Sequence, residues 1–134
     1  MKPISILIIE DNELSNFFTQ NLIKHFRLPI DVHFETSSEA GLGYLETRDT
    51  EFPDYILSDI HLPMIDGFTF IELVQDSFPL LSLNTEFQIM TTNRFSQFYQ
   101  EKMNALNIQK FLHKPLQVKH FKSLLLNSTP VSIA

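Results

Sequence analysis

Apolar and polar positions follow one another along this chain in two alternating rhythms. Ile4 to Ile9 is a nearly unbroken apolar run rich in β-branched residues, which predicts a strand buried on both faces. Leu14, Phe17, Phe18, Leu22 and Phe26 follow at helical spacing, with Asn12 placed as an N-cap. A helix is expected there, with an apolar stripe of the kind that ordinarily faces a core. Pro29 closes it. Asp31 to Glu35 alternates polar and apolar, a half-exposed strand suited to a sheet edge. Ser37 or Ser38 caps a second helix carrying Ala40, Leu42 and Leu45. Gly41 and Gly43 each weaken that helix by about 1 kcal/mol relative to alanine, so it is expected to be the least well formed.

The stretch from Phe52 to Gly67 organises the middle of the chain. Pro53-Asp54 is a turn signal, and Tyr55, Ile56 and Leu57 read as a short buried strand that ends at Asp59. Pro63 bars a helix from starting at once; Asp66-Gly67 marks where one can begin, bearing Phe68, Ile71 and Val74. Pro79 ends that region, and Leu80 to Asn84 reads as a loop with unexplained apolar content. Phe87 to Met90 predicts a fourth strand, ending at Thr91-Thr92. Phe95, Phe98, Tyr99, Met103 and Leu106 form a helical stripe that reads as core. Ile108 to His113 alternates again, as the other edge strand. Lys114-Pro115 precedes a helix expected from about Gln117 to Leu126, carrying Phe121, Leu124 and Leu125.

Strand and helix thus alternate five times, which argues for an α/β fold with a parallel sheet and helices on both faces. The apolar runs rank the first, third and fourth strands as central and the second and fifth as edges. That matches the five-stranded order 2-1-3-4-5 of the flavodoxin-like, doubly wound class, whose ligands sit beyond the carboxyl ends of the strands. With 134 residues, 43% of them hydrophobic, the chain suits one domain, read as residues 1–127, and a patternless C-terminal tail, 128–134.

The absence of cysteine removes disulfides and thiolate metal sites. The apolar run after Met-Lys-Pro is too short for a signal peptide or a membrane span, so a cytoplasmic protein without a membrane role is expected. A net charge of -6 with scattered lysines and arginines argues against nucleic-acid binding. His25, His33, His61, His113 and His120 show no metal-ligand spacing and read as surface or packing residues.

Chemistry gathers at the predicted strand ends. Glu10 and Asp11 follow the first strand, Asp59 the third, Thr91 the fourth and Lys114 the fifth. Taken singly, each has an ordinary explanation: helix-start acids, a turn cap, a strand residue, a solvated lysine. Together they converge on one edge, where three carboxylates outweigh one lysine. Like charges this close resist joint ionisation unless a cation intervenes, and a few carboxylates plus water suit Mg²⁺. Lys114 suits a phosphoryl oxygen, the Thr91 hydroxyl can donate to another, and Asp59 is placed as the nucleophile for an acyl phosphate.

The D-x-x-x-P-x-x-D-G pattern of Asp59 to Gly67, with Glu10-Asp11, Thr91 and Lys114-Pro115 in order, resembles the receiver domain of two-component response regulators over roughly residues 4 to 127. The resemblance implies that Asp59 is phosphorylated by a histidine kinase or phosphotransfer protein. It implies Mg²⁺ on Glu10, Asp11, Asp59 and the backbone carbonyl of His61, a cis Lys114-Pro115 bond, and a switch pair of Thr91 and Phe111. The domain would catalyse only its own phosphorylation and dephosphorylation, without turnover of a small substrate. It would signal through the fourth helix, fifth strand and fifth helix to a protein partner or a like chain in a dimer, stand-alone or as part of a longer regulator.

The chain also departs from the family pattern. Leu62 replaces a frequent methionine and Thr92 a small residue, which narrows access to the phosphoryl group. His61 and Asn93 take positions that flank the attacking water, and Phe111 has no hydroxyl. Other classes fit less well. A phosphohydrolase of the haloacid dehalogenase type needs D-x-D after the first strand, whereas here the nucleophile follows the third and His61 stands two residues on. A flavodoxin-like cofactor binder needs a phosphate loop where Glu10 and Asp11 would repel phosphate. A degenerate receiver serving only as a docking module is opposed by the intact acids, Thr91 and Lys114.

Overall fold

The computed structural model describes residues 2–48 and 51–128. In chain order these form β1 (Ile4–Ile9), α1 (Glu13–His25), β2 (Ile30–Glu35), α2 (Ser38–Glu46), β3 (Tyr55–Asp59) and α3 (Gly67–Ser77). A 3₁₀ turn (Leu81–Asn84) then leads to β4 (Glu86–Thr91), α4 (Gln97–Leu106), β5 (Lys110–His113) and α5 (Val118–Ser128). Residues 129–134, nearly all of the stretch read as a tail, lie outside the described residues. The five strands form one sheet in the order β2-β1-β3-β4-β5, and every neighbouring pair is parallel.

Strand burial follows the apolar runs. All five residues of β3 are buried, and β1 and β4 each have one partly exposed position, whereas β2 and β5 at the edges are mostly half-exposed. Because side chains alternate across a strand, β1 divides its residues between two cores. Leu7 and Ile9 pack with Phe70, Ile71 and Val74 on one face, while Ile6 and Ile8 pack with Ile23, Phe121 and Leu124 on the other.

The helix starts follow their capping residues. Asn12, Ser37, Asp66 and Ser96 each accept a backbone N–H three residues on, which satisfies a donor the first turn leaves open. Helix α2 is the shortest of the five α-helices, with nine residues. Its Gly41 is a packing residue: a Cβ there would stand 2.6 Å from Ile9 Cδ1 and 3.1 Å from the Phe70 ring.

Three local expectations need correction. Most of the α1 stripe does not face the core: Leu14, Phe17, Phe18 and Phe26 are 75%, 63%, 65% and 46% exposed, Leu22 packs against the core only partly buried, and the buried residues are Asn16, Thr19 and Ile23. Asn16 accounts for this rotation, since its side-chain amide donates to the Glu10 carbonyl at 2.9 Å and holds that face against the sheet edge. The stripe around α4 is only partly core. Phe95 precedes the helix and Phe98 points outward, so Tyr99 and Met103, four residues apart, are its buried positions. Leu80 to Asn84 contains a 3₁₀ turn anchored by buried Ser82, with Leu80 and Leu83 exposed.

Candidate functional site

The carboxyl ends of β1, β3, β4 and β5 bring Glu10, Asp59, Thr91 and Lys114 to one edge of the sheet. Asp59 is the last residue of β3 and is 5% exposed; Glu10, just past β1, is 2% exposed, and Thr91 is fully buried. Lys114 follows β5, where the Lys114-Pro115 peptide bond is cis. Its ammonium donates to Asp59 Oδ2 at 2.7 Å and to Glu10 Oε1, with the side chain 18% exposed. Asp11 remains exposed, yet one carboxylate oxygen from each of Glu10, Asp11 and Asp59 falls within 4.8 Å of the others.

Backbone groups fix the remaining lone pairs. Asp59 Oδ1 accepts the His61 N–H at 3.0 Å, and Glu10 Oε2 accepts the Asn12 N–H at 3.3 Å. The Thr91 hydroxyl oxygen accepts the Asn93 N–H at 3.1 Å. The loop after β3 folds back so tightly that a Cβ on Gly67 would lie 2.1 Å from the Asp59 carbonyl oxygen. The Gly67 N–H donates to the Ile60 carbonyl at 3.0 Å, so the glycine ending the D-x-x-x-P-x-x-D-G pattern sits against the backbone of the strand-end aspartate.

The electrostatics show an edge short of positive charge. Burial raises the Glu10 carboxyl above its ordinary value against the opposing hydrogen bond from Lys114, and the charge of Asp59 adds to the rise. Burial works to lower the Lys114 ammonium, but its bonds to Asp59 and Glu10 outweigh this and hold it above its ordinary value. One lysine serving two buried carboxylates keeps its own proton firmly while leaving the acids under-compensated. Three carboxylate oxygens this close are hard donors of the kind Mg²⁺ takes, with water completing its shell, so the residues present fit that ion.

The response-regulator receiver domain model matches residues 6–126. The chain belongs to the response-regulator receiver family. A receiver domain of this kind is a signalling module of two-component systems, and the family interacts with kinases or phosphotransfer proteins. The chain is similar to the polar-differentiation response regulator DivK of Brucella ovis, 29% identical over 119 residues, which covers 87% of this chain and 89% of that one. A crystal structure of a two-component response regulator from Cytophaga hutchinsonii has the same fold at a TM-score of 0.82 and 22% identity, covering 95% of this chain and 97% of that one. So does the receiver domain of the sensor histidine kinase PA1611 from Pseudomonas aeruginosa, at a TM-score of 0.71 and 18% identity, covering 93% of this chain and 96% of that one; it has a magnesium ion in its active-site cleft. Among the described residues of this receiver domain, no helix is long and apolar enough to cross a membrane.

Of the residues singled out in the sequence, Glu10, Asp11, Asp59 and Lys114 meet directly, and Thr91 ends the strand beside Asp59. Phe111 lies on β5, half-buried, with its ring 5.0 Å from Phe95 and 6.0 Å from Tyr99. Thr92 is exposed and lines a cleft of about 430 Å³ with Glu10, Leu14, Phe18, Lys114 and Pro115. Two positions that matter here carry no signal in the sequence. Asn16 lies among the apolar positions of α1, and no pattern marks a polar side chain that reaches a backbone carbonyl six residues earlier. Tyr99 read only as core because its ring is apolar, although its hydroxyl reaches His61 and Asn93.

Proposed function

We propose that this receiver domain is a phosphorylation-activated switch whose phosphoacceptor is Asp59. The donor is a phosphohistidine on a histidine kinase or phosphotransfer protein in the cytoplasm. A carboxylate oxygen of Asp59 attacks phosphorus; the P–O bond forms as the P–N bond breaks, and the histidine nitrogen leaves with the electron pair. Glu10, Asp11, Asp59 and the His61 carbonyl would hold Mg²⁺, which would supply positive charge to the transferring group. Lys114 exchanges its Asp59 contact for a phosphoryl oxygen, and the Thr91 hydroxyl donates to another. Buried Asp59 keeps its acyl phosphate beside fixed donors, so the protein catalyses its own modification and its reversal.

The observation that carries this reading is the position of Asp59: buried at a central strand end, bonded to Lys114 at 2.7 Å, with Glu10 and Asp11 oxygens within 4.8 Å. A buried carboxylate so placed is costly unless it is paired or reactive. Output passes through Phe111 to the face of α4, β5 and α5, where exposed Phe95 and Phe98 offer apolar surface to a protein partner or a second copy. Incubation with a small acyl phosphate and Mg²⁺ is expected to add one phosphoryl group by intact mass, and Asp59→Asn to add none. Equal modification of both proteins would overturn the assignment.

A further inference from the structure

Beside the acidic site, three side chains from three separate segments meet. Asn93 Nδ2 lies 2.7 Å from His61 Nε2 and 3.2 Å from the Tyr99 hydroxyl, and that hydroxyl lies 3.3 Å from the same His61 nitrogen. An amide N–H only donates, so with Nε2 unprotonated His61 accepts one Asn93 N–H through its single lone pair, and the Tyr99 oxygen accepts the other. His61 belongs to the loop after β3, Asn93 to the loop after β4, and Tyr99 to α4.

Two members of this clasp are tied by their backbones to groups at the reaction centre. The His61 N–H is bonded to Asp59 Oδ1 and the Asn93 N–H to Thr91 Oγ1. The third member is built into α4. Tyr99 is 9% exposed, and its own N–H is held by the capping hydroxyl of Ser96 at 3.2 Å. Its ring stacks on Phe111 at 6.0 Å and packs at 5.9 Å from Phe68. Among the described residues, the rings packed on Phe111 are those of Phe95 and Tyr99, and of these only Tyr99 carries a hydroxyl.

We propose that Tyr99 is the positioning residue that carries the state of Asp59 to α4, through the clasp of its hydroxyl with Asn93 and His61. This deepens the phosphoacceptor reading and rests on it. When the Thr91 hydroxyl turns toward a phosphoryl group on Asp59, it either drags the Asn93 backbone or releases it. In both cases the Asn93 amide shifts against the Tyr99 hydroxyl. A nearly buried hydroxyl that loses Asn93 is left with its 3.3 Å contact to His61 Nε2, and closing that contact to a good hydrogen bond draws the ring with it. That ring leans on Phe111 and stands in the capped first turn of α4, so its motion re-sets the start of the helix. The clasp makes the coupling a set of named contacts with two arrangements.

The test compares amide chemical shifts of the isotope-labelled full chain in Mg²⁺, with and without beryllofluoride, for the wild type and Tyr99→Phe. The wild type is expected to shift around Asp59 and along 97–106. Tyr99→Phe keeps the ring and should retain the shifts around Asp59, and its phosphoryl uptake by intact mass, while those along 97–106 fall several-fold. Asn93→Ala, at an exposed position, should reproduce the loss with the tyrosine intact. Full α4 shifts in Tyr99→Phe, with normal shifts around Asp59, would overturn the role of Tyr99 and leave the phosphoacceptor reading standing. A wild type that shifts nowhere on beryllofluoride would overturn both.

Discussion

Gly67 illustrates how much of this site depends on single atoms that are not there. The loop carrying Pro63 and Asp66 must return to the strand it left, and it does so by laying Gly67 on the Asp59 carbonyl. A methyl group at 2.1 Å from a backbone oxygen cannot be absorbed by a side-chain rotation. Gly67→Ala is therefore expected to destabilise the fold by about 1–3 kcal/mol or more, in the range of overpacked cores. It should also slow phosphoryl uptake, because the displaced backbone is that of Asp59. Denaturant midpoints and uptake rates check both; an unchanged midpoint would contradict the close approach. Charged groups at this scale were legible, since Glu10 and Asp59 stand at the ends of apolar runs, where a charge needs a reason, and Lys114 follows the alternating edge strand at the same end of the sheet. Asn16 and the Tyr99 hydroxyl were not, because the first sits within an apolar stripe and the second on a ring that packs like any other.

At the scale of the element, α1 shows what periodicity leaves open. A 3.6-residue rhythm marks an apolar face without saying which side meets water. Here the inner face is Asn16, Thr19 and Ile23, while Phe17 and Phe18 look outward, Phe18 lining the same cleft as Thr92 and Pro115. The sequence pattern favoured the phenylalanines for the core; the bond from Asn16 to the Glu10 carbonyl decides otherwise. Phe17→Gln and Phe18→Gln are each expected to change stability by no more than about 0.5 kcal/mol, as exposed substitutions do. Ile23→Ala, which removes a side chain 5% exposed, should cost about 2–5 kcal/mol. Chemical denaturation of the three variants measures this directly, and a large loss in either phenylalanine variant would contradict the observed rotation. Strands were easier to read than helices. A nearly unbroken apolar run such as Ile4 to Ile9 fits the centre of a sheet covered on both faces.

For the whole molecule, the order β2-β1-β3-β4-β5 turns five separate sequence positions into one site. Parallel strands all point their carboxyl ends to the same edge, so residues as far apart as Glu10 and Lys114 meet with no local signal linking them. That convergence was legible because strand ranking by apolar content fixes the order, and the order fixes the edge. The apolar surface outside the site was not legible, since exposed Phe95 and Phe98 follow the same spacing as buried Tyr99 and Met103. Function at this scale reduces to one claim: the aspartate at the end of the central strand β3 takes the phosphoryl group. Borohydride reduces an acyl phosphate to an alcohol, which converts a phosphorylated aspartate to homoserine and marks it for peptide sequencing. Protein treated with acyl phosphate and Mg²⁺, then borohydride, is predicted to carry homoserine at position 59 alone; homoserine at Asp11, Asp54 or Asp66, or none at all, would contradict the account.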